Sequence, residues 1–463
     1  MRKVKGITLI ALVITIIVIL ILVGVTLNVV LNGNLIGNAQ DAKNKQEIER
    51  DRELLYTAAL SCMENGVVNF GKLNASLPYG FNITDKIGKY TKENNTFYID
   101  ENGEVTIREK GTYVSKRDLN LGQGVELIPK ENLTGDLAQA VKEGKISAVI
   151  KEKIDDKDVI AVVPTGFTVS DTNGENTISG GLVVRDSDQN EFVWIPVPDI
   201  TKMAVLQDGS PSDYRGVLYN WSTDSTGQTA YSWDSTPIDY REPAKLTGTI
   251  EINGEEVTVD SQEAFTYYGG GTYAETTYQT EFNSMVESVA KYKGFYVGRY
   301  ETGGFNTNKI VVKLGETGTR NSYGSINSIN WVNWYKMYQM QKDFASSSAS
   351  VASTMIWGCQ WDQVMKFVNG KNDGIYDVKR GSLTRHTGEL AATGSNINDK
   401  VQNIYDLEGN VEEWILEANG TESRVLRGST YNNTSGNYAA RRTDYKPYYS
   451  DFTIGSRVSL YIR

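Results

Sequence analysis

Behind three cations in MRKVKG, the chain carries no charged residue from Gly6 through Gln40, and its first part, ITLIALVITIIVILILVGVTL, offers no polar face. A helix of about 20 apolar residues crosses a bilayer, so this stretch is expected to span a membrane rather than join a soluble core. Arg2, Lys3 and Lys5 then stay on the cytoplasmic side and the remainder is sent outside. From Ala39 the composition turns to DAKNKQEIERDRELLYTAALSCMENG, in which Ile48, Leu55, Ala59 and Cys62 recur at helical spacing among mixed charges. That pattern predicts a stalk helix continuing the anchor, with Asn65-Gly66 as its stop signal.

A chain of 463 residues exceeds one hydrophobic core, and 40% hydrophobic with 22% charged residues suits folded domains. The formal net charge of −10 and the lack of a long basic run argue against a nucleic-acid partner. The first tryptophan is Trp194, which places an aromatic-rich domain in the C-terminal part. His386 is the sole histidine, so a multi-histidine zinc site is excluded and a serine triad would have one residue to draw on. Cys62 and Cys359 form no CxxC pair; each reads as a small buried apolar residue, with one bridge between them as the alternative.

Residues 1–65 thus form the leader, anchor and stalk, and 66–115 a small β-rich unit in which TFYID and EVTI flank a turn at Gly103. Residues 116–158 read as a linker with a short helix, capped by Thr134 or Asp136 and ending near Gly144. KEKIDDKD reads as solvated surface. From Val159 the chain becomes apolar and alternating, and EFVWIPV is a buried-strand candidate bounded by Pro196 and Pro198. Residues 205–280, rich in Ser, Thr, Gly and Tyr, are expected as a surface insertion. Gly269-Gly270-Gly271 lacks the lysine and strand-to-helix setting of a phosphate loop. EFNSMVESVAKYKGFYVGRY predicts a helix and then a strand, and two more helices follow, their Trp331, Trp334, Tyr338 and Trp357, Trp361, Met365 stripes assigned to the core.

KGITLIALVITIIVILILVG resembles the leader and anchor helix of type IV prepilins. The resemblance implies processing between Gly6 and Ile7 and association with pilus or pseudopilus subunits; the family's glutamate at the fifth mature position is replaced by Ala11, which favours simple anchoring over fibre assembly. An uncleaved signal anchor is the alternative. Further on, FVWIP, FYVGRYETGG, WGCQWDQVMKF, NIYDLEGNVEEW, RVLRGSTY, AARR and GSRVSL resemble the formylglycine-generating enzyme (sulfatase-modifying factor) family. That resemblance implies, over 159–463, an irregular α+β domain of C-type-lectin-like fold. It also implies a structural calcium on Glu408, Gly409, Val411 and Glu413, with no other cofactor required. The family's two copper-binding cysteines fall at Asn433 and Tyr438, so no copper oxidase chemistry is expected and the chain reads as a non-enzyme.

Between RVLRG and the last strand lies a segment almost free of aliphatic residues. Tyr431, Asn432, Asn433, Thr434, Ser435, Asn437 and Tyr438 form one cluster; Thr443, Asp444, Tyr445, Tyr448, Tyr449, Ser450 and Asp451 form another. Tyrosine supplies contact area at low entropic cost and Asn, Ser and Asp supply adaptable hydrogen bonds. The arrangement resembles the variable proteins of diversity-generating retroelements. An ordinary polar loop is the plainer alternative, and Arg441 and Arg442 read as framework residues paired with acids. The sequence therefore predicts a single-pass, surface-displayed binding protein whose ligand is an unknown protein or glycan, with a minor pilin as the alternative.

Overall fold

The computed structural model describes residues 35–77 and 89–463, with interruptions of which the longer are 204–217, 319–328, 370–388 and 433–438. Gly6, Ile7 and the expected membrane span lie outside the described residues, as does His386. Among the described residues no helix is long and apolar enough to cross a membrane. The protein is mixed α+β and divides into two compact units, residues 1–110 and 111–463.

In the first unit, helix α1 (Leu35–Ser61) and the short α2 (Phe70–Ser76) accompany an antiparallel sheet of β1 (Lys89–Lys92), β2 (Asn95–Ile99) and β3 (Val105–Glu109). Leu55, Ala59 and Cys62 of the stalk pattern are buried together with Phe97, Ile99 and Val105. The predicted hairpin is present, Ile99 facing Val105 across a turn where Gly103 has φ +82°. Asn65-Gly66 plays a different part from the one expected. Helix α1 has already ended, and the two residues, at φ +53° and +85°, form the turn joining Met63–Glu64 to Val67–Val68. Asn-Gly is a strong signal for such left-handed two-residue turns.

In the second unit, the stretch expected as a linker is folded. β4 (Val125–Leu127), helix α3 (Gly135–Lys142), β5 (Ile146–Ile154) and β6 (Lys157–Pro164) build a three-stranded antiparallel sheet with one helix. Ile146, Ala148, Ile150, Ala161 and Val163 are buried in the same cluster as Trp194 and Val458. The charges of KEKIDDKD conceal this, because Asp155 and Asp156 (φ +48° and +61°) are a tight turn that folds two apolar strands onto each other.

The remaining strands used below are β7 (Thr168–Val169), β8 (Val183–Arg185), β9 (Glu191–Pro196), β10 (Thr249–Ile252), β11 (Glu255–Thr258), β12 (Gly294–Gly298), β13 (Val351–Met355), β14 (Glu412–Asn419), β15 (Ser423–Arg427), β16 (Arg442–Tyr445), β17 (Ile454–Ser456) and β18 (Val458–Ile462). One antiparallel sheet runs β13-β18-β12-β9-β8-β7. The other runs β14-β15-β16, with β17 parallel to β14 and Tyr240–Arg241 on its free side. β9 is the predicted EFVWIPV strand; its Trp194 is fully buried, edge-on to Tyr296 at 4.9 Å. Pro196 ends it opposite Gly294, where a Cβ would stand 2.3 Å from the Trp194 ring.

Helices α4 (Gln262–Tyr267), α5 (Thr277–Tyr292), α6 (Trp334–Phe344) and α7 (Gly358–Asn369) complete the unit. Trp334, Tyr338, Trp357, Trp361 and Met365 are buried as expected. Trp331 is not part of that stripe: it precedes α6, is half-buried, and has φ +62°. The surface insertion expected at 205–280 is corrected in its second half. Leu246, Ile250, Ile252, Val257, Val259 and Phe265 lie in the main core, because the β10–β11 hairpin alternates and turns its Thr and Glu outward.

Candidate ligand-binding face

β16 is the edge strand of its sheet path, pairing Tyr445 with Arg424 and Asp444 with Val425. It has little apolar content to bury, and a charged cluster fixes it instead. Arg442 donates to Glu417 Oε1 and Asp362 Oδ2, each at 2.8 Å, and Arg427 donates to Asp362 Oδ1 at 2.7 Å. Burial disfavours the Arg442 charge, but Asp362 and Glu417 outweigh it and raise the guanidinium pKa. Arg442 is thus the framework residue the sequence predicts; Arg441 is outside the described residues.

Beyond β16 the chain turns outward. Tyr445, Tyr448 and Tyr449 are 43%, 39% and 39% exposed. Tyr445 and Tyr449 stack at 5.0 Å and 14°, and Tyr448 stacks on Tyr268 at 5.6 Å and 21°. Tyr268 in turn stacks on the buried Tyr335 at 5.5 Å and 10°, with Tyr267, 54% exposed, against its edge. Asp451 secures the loop rather than presenting its carboxylate: Oδ1 accepts from Thr453 N and Oγ1, and Oδ2 from the Tyr449 hydroxyl. Asp444 and Ser450 are half-buried.

The segment 330–334 holds both loops. Asn330 Nδ2 donates to Phe452 O at 2.7 Å, Trp331 N to Asp451 O at 3.0 Å, and Trp334 N to Pro447 O at 2.9 Å. Asn333 caps α6 through its Oδ1 and donates from Nδ2 to Tyr268 O at 3.0 Å. A left-handed tryptophan is a strained conformation of the kind retained where the surroundings over-determine it, and Trp331 sits against Phe452 at this junction. The glycines after Tyr268 serve packing: a Cβ on Gly270 would stand 3.1 Å from Tyr335 Cβ, and one on Gly271 2.2 Å from Gln339 Oε1.

Tyr431 is corrected. It is 2% exposed, its N–H bonds Asn410 O at 3.1 Å and its ring lies 6.5 Å from Phe452, so it supports the face from beneath. Asn432 is exposed and accepts from the Thr430 hydroxyl. Asn433, Thr434, Ser435, Asn437 and Tyr438 lie outside the described residues. Sequence reasoning did not find Tyr267, Tyr268, Trp331 or Asn333; a paired tyrosine beside three glycines was the available signal for the first two.

The loop expected to hold calcium is rich in buried acids. Glu301 accepts from Asn410 Nδ2 at 2.6 Å and Val411 N at 3.1 Å, and Asp406 Oδ2 from Thr393 Oγ1 and Gly394 N at 2.8 Å. Arg457 aims both Nε and Nη2 at Glu413 Oε1, leaving Oε2 buried without a hydrogen-bond partner. Burial pushes the Glu413 carboxyl up to about 7, and burial, then Asp406 and Glu413, push Glu301 well above the usual range. Among the described residues no three His, Cys, Asp or Glu side chains converge to hold a metal. The orphaned Glu413 Oε2 is an oxygen of the kind a calcium would take, and the resemblance would complete the site with the carbonyls of Glu408, Gly409 and Val411. A Cβ on Gly428 would stand 3.8 Å from that oxygen and 3.2 Å from Leu407 O, a space that glycine leaves open. Copper does not fit: Asn433 and Tyr438 offer an amide and a phenol where a soft ion needs thiolates, and Cys62 and Cys359 are buried and form no disulfide.

No protein-family model matches the chain, and no curated protein matches it. Among solved structures it is similar to Treponema denticola variable protein 1, at 14% identity over 36% of this chain and 84% of that one, with a TM-score of 0.27. It is similar to CarF at 13% identity, 37% and 88% coverage and a TM-score of 0.29. PvdO from Pseudomonas aeruginosa aligns at 13% identity over 61% and 98%, with a TM-score of 0.31. Likenesses of this size carry no weight for activity.

Proposed function

We propose that the chain is a membrane-anchored, externally displayed binding protein whose second unit, C-type-lectin-like in build, offers the face at 443–452 to a ligand on another surface. One observation carries this: Tyr445, Tyr448 and Tyr449 stand exposed on a loop whose backbone is tied to 330–334, so large rings are held outward at little cost to the core. Rigid, exposed tyrosines on a fixed scaffold are the chemistry of a recognition surface. The test is adhesion, by flow cytometry, of cells displaying the full chain to a panel of intact cells and phage particles. The Tyr445→Ala, Tyr448→Ala, Tyr449→Ala triple variant is expected to lose at least tenfold of any adhesion at unchanged display; full adhesion by the triple variant refutes the face.

A second reading, a minor pilin or pseudopilin, is favoured by the first unit, where α1 packs Leu55 and Ala59 against the β1–β3 sheet. It requires cleavage after Gly6. A mature protein that retains Met1 by mass spectrometry rules it out.

A further inference from the structure

We infer that the binding face is a composite of the 445–452 loop and the Tyr267–Tyr268 corner, and that it takes a folded, non-acidic polypeptide surface rather than a saccharide. The inference rests on the proposed binding role and goes on to the partner's class. The two loops are far apart in the chain but share one frame. Asn333 Nδ2 bonds Tyr268 O, the neighbouring Trp334 N bonds Pro447 O, and Tyr268 stacks directly on Tyr448. Ring contact runs from Tyr267 through Tyr268 to Tyr448, and the next residue in the chain, Tyr449, carries the Tyr449–Tyr445 pair.

Saccharides are commonly gripped by laying the sugar ring on an open aromatic face. Here the rings use their faces on one another. Tyr268 stacks with both Tyr335 and Tyr448, and Tyr445 stacks with Tyr449. The exposed parts of Tyr267, Tyr445, Tyr448 and Tyr449 combine ring surface with phenol groups spread over several side chains, which suits peptide groups and mixed side chains. Size points the same way. Taking roughly 200 Å² per tyrosine side chain, the exposed fractions of Tyr267, Tyr445, Tyr448 and Tyr449 give roughly 350 Å². That matches the largest patches on monomers, about 300–600 Å², and would form the centre of an interface of about 800 Å² per partner. One sugar ring would leave most of it wet. Charge sets the remaining term: Lys446 is paired with Glu422, Asp444 lies at the rim, Lys336 stands by Gly269, and the whole chain is −10.

The full chain in detergent micelles is panned with a phage-displayed random-peptide library and, separately, applied to an oligosaccharide array. Library peptides gather on surfaces built to bind polypeptide, so the dominant peptides are expected to lose tenfold or more in affinity on Tyr448→Ala and on Tyr267→Ala. They should be unaffected by Tyr56→Ala, an equally exposed tyrosine of the first unit. Tyr448→Phe keeps the stack on Tyr268, so a threefold or greater loss with that variant reports the hydroxyl and not misfolding. A sugar bound in a Tyr448-dependent manner overturns the polypeptide class while leaving the face in place. Peptides sensitive to Tyr448 but indifferent to Tyr267 overturn the composite. Peptides indifferent to both overturn the inference and the binding reading beneath it.

Discussion

Arg442 is the point at which the face can be undone from inside. Its side chain is 4% exposed, and its partners Asp362 and Glu417, with the neighbouring Arg427, are fully buried. Two cations and two carboxylates balance there. Arg442→Met keeps the volume of the stem but leaves one negative charge uncompensated in a dry site. Breaking a buried pair by removing one partner costs about 3–5 kcal/mol. For the second unit, residues 111–463, an unfolding entropy of about 2.1 cal/mol/K per residue turns that into a fall of roughly 4–7 °C in its melting transition.

The pH dependence separates this mechanism from a simple packing defect. Burial already raises the Glu417 carboxyl, and Arg442 is the strongest of the neighbours that lower it. Without Arg442 the folded-state value climbs further above the unfolded one. The folded protein then holds a proton that the unfolded chain has released, so stability falls as pH rises through that window and recovers as pH falls. The deficit of Arg442→Met, followed by calorimetry of the full chain in detergent, is therefore expected to grow as pH rises above the ordinary carboxylate range and to shrink as pH falls back into it. Arg442→Lys retains the charge but not the fork and should fall between. A deficit below about 1 kcal/mol, or one that is flat with pH, would mean that β16 is not held by this cluster.

Three further outcomes are expected. Asn333→Ala should lose the α6 cap, worth about 0.5–2 kcal/mol, and speed amide exchange at Tyr268–Gly269, whereas Asn333→Asp should restore the cap but not the Tyr268 tether. Because the Glu301 and Glu413 carboxyls are raised by burial, the folded state keeps their protons above the unfolded pKa, and stability should fall as pH rises, for Glu413 from about 4.5 to about 7 at up to about 1.4 kcal/mol per pH unit, with Glu301 adding a fall of the same sign. Glu301→Gln should flatten that slope in urea melts. Millimolar calcium should stabilise the fold by up to about 2.7 kcal/mol at a hundredfold excess over Kd, read as a rise in the melting temperature, and Glu413→Gln should abolish the rise; no shift with calcium would retire that site.

What the sequence reveals is what periodicity encodes. The Trp334/Tyr338 and Trp357/Trp361/Met365 stripes, the EFVWIPV strand and the hairpin at Gly103 are all local patterns, and the structure carries them. The failures share a cause. Asp155-Asp156 and Asn65-Gly66 are polar turns inside continuous structure, and polarity alone reads as a boundary. Tyr431 and Tyr448 belong to the same composition of Tyr, Asn and Ser, yet one is 2% and the other 39% exposed. Only the third dimension separates them, because Tyr431 follows a buried strand end and its N–H is claimed by Asn410 O. The Tyr268–Tyr448 stack joins residues that no local window contains.

The support beneath the face is polar, and its position explains why. A segment almost free of aliphatic residues gains little from hydrophobic burial, so the strands around it are tied in by directional charged contacts. Arg424 joins β15 to Asp260 at 2.7 Å while lying 4.3 Å over the Trp334 ring, Arg442 joins β16 to Glu417 on β14, and Arg457 joins the approach to β18 to Glu413. These contacts lie inside the unit, while Tyr445, Tyr448 and Tyr449 lie outside it and bond little of the core. Folding and recognition are thereby assigned to different side chains of one short stretch. Replacement of an outer tyrosine should cost the fold less than about 1 kcal/mol, against about 3–5 kcal/mol for Tyr431→Ala or Arg442→Met. A face with that separation can change what it binds without renegotiating how it folds.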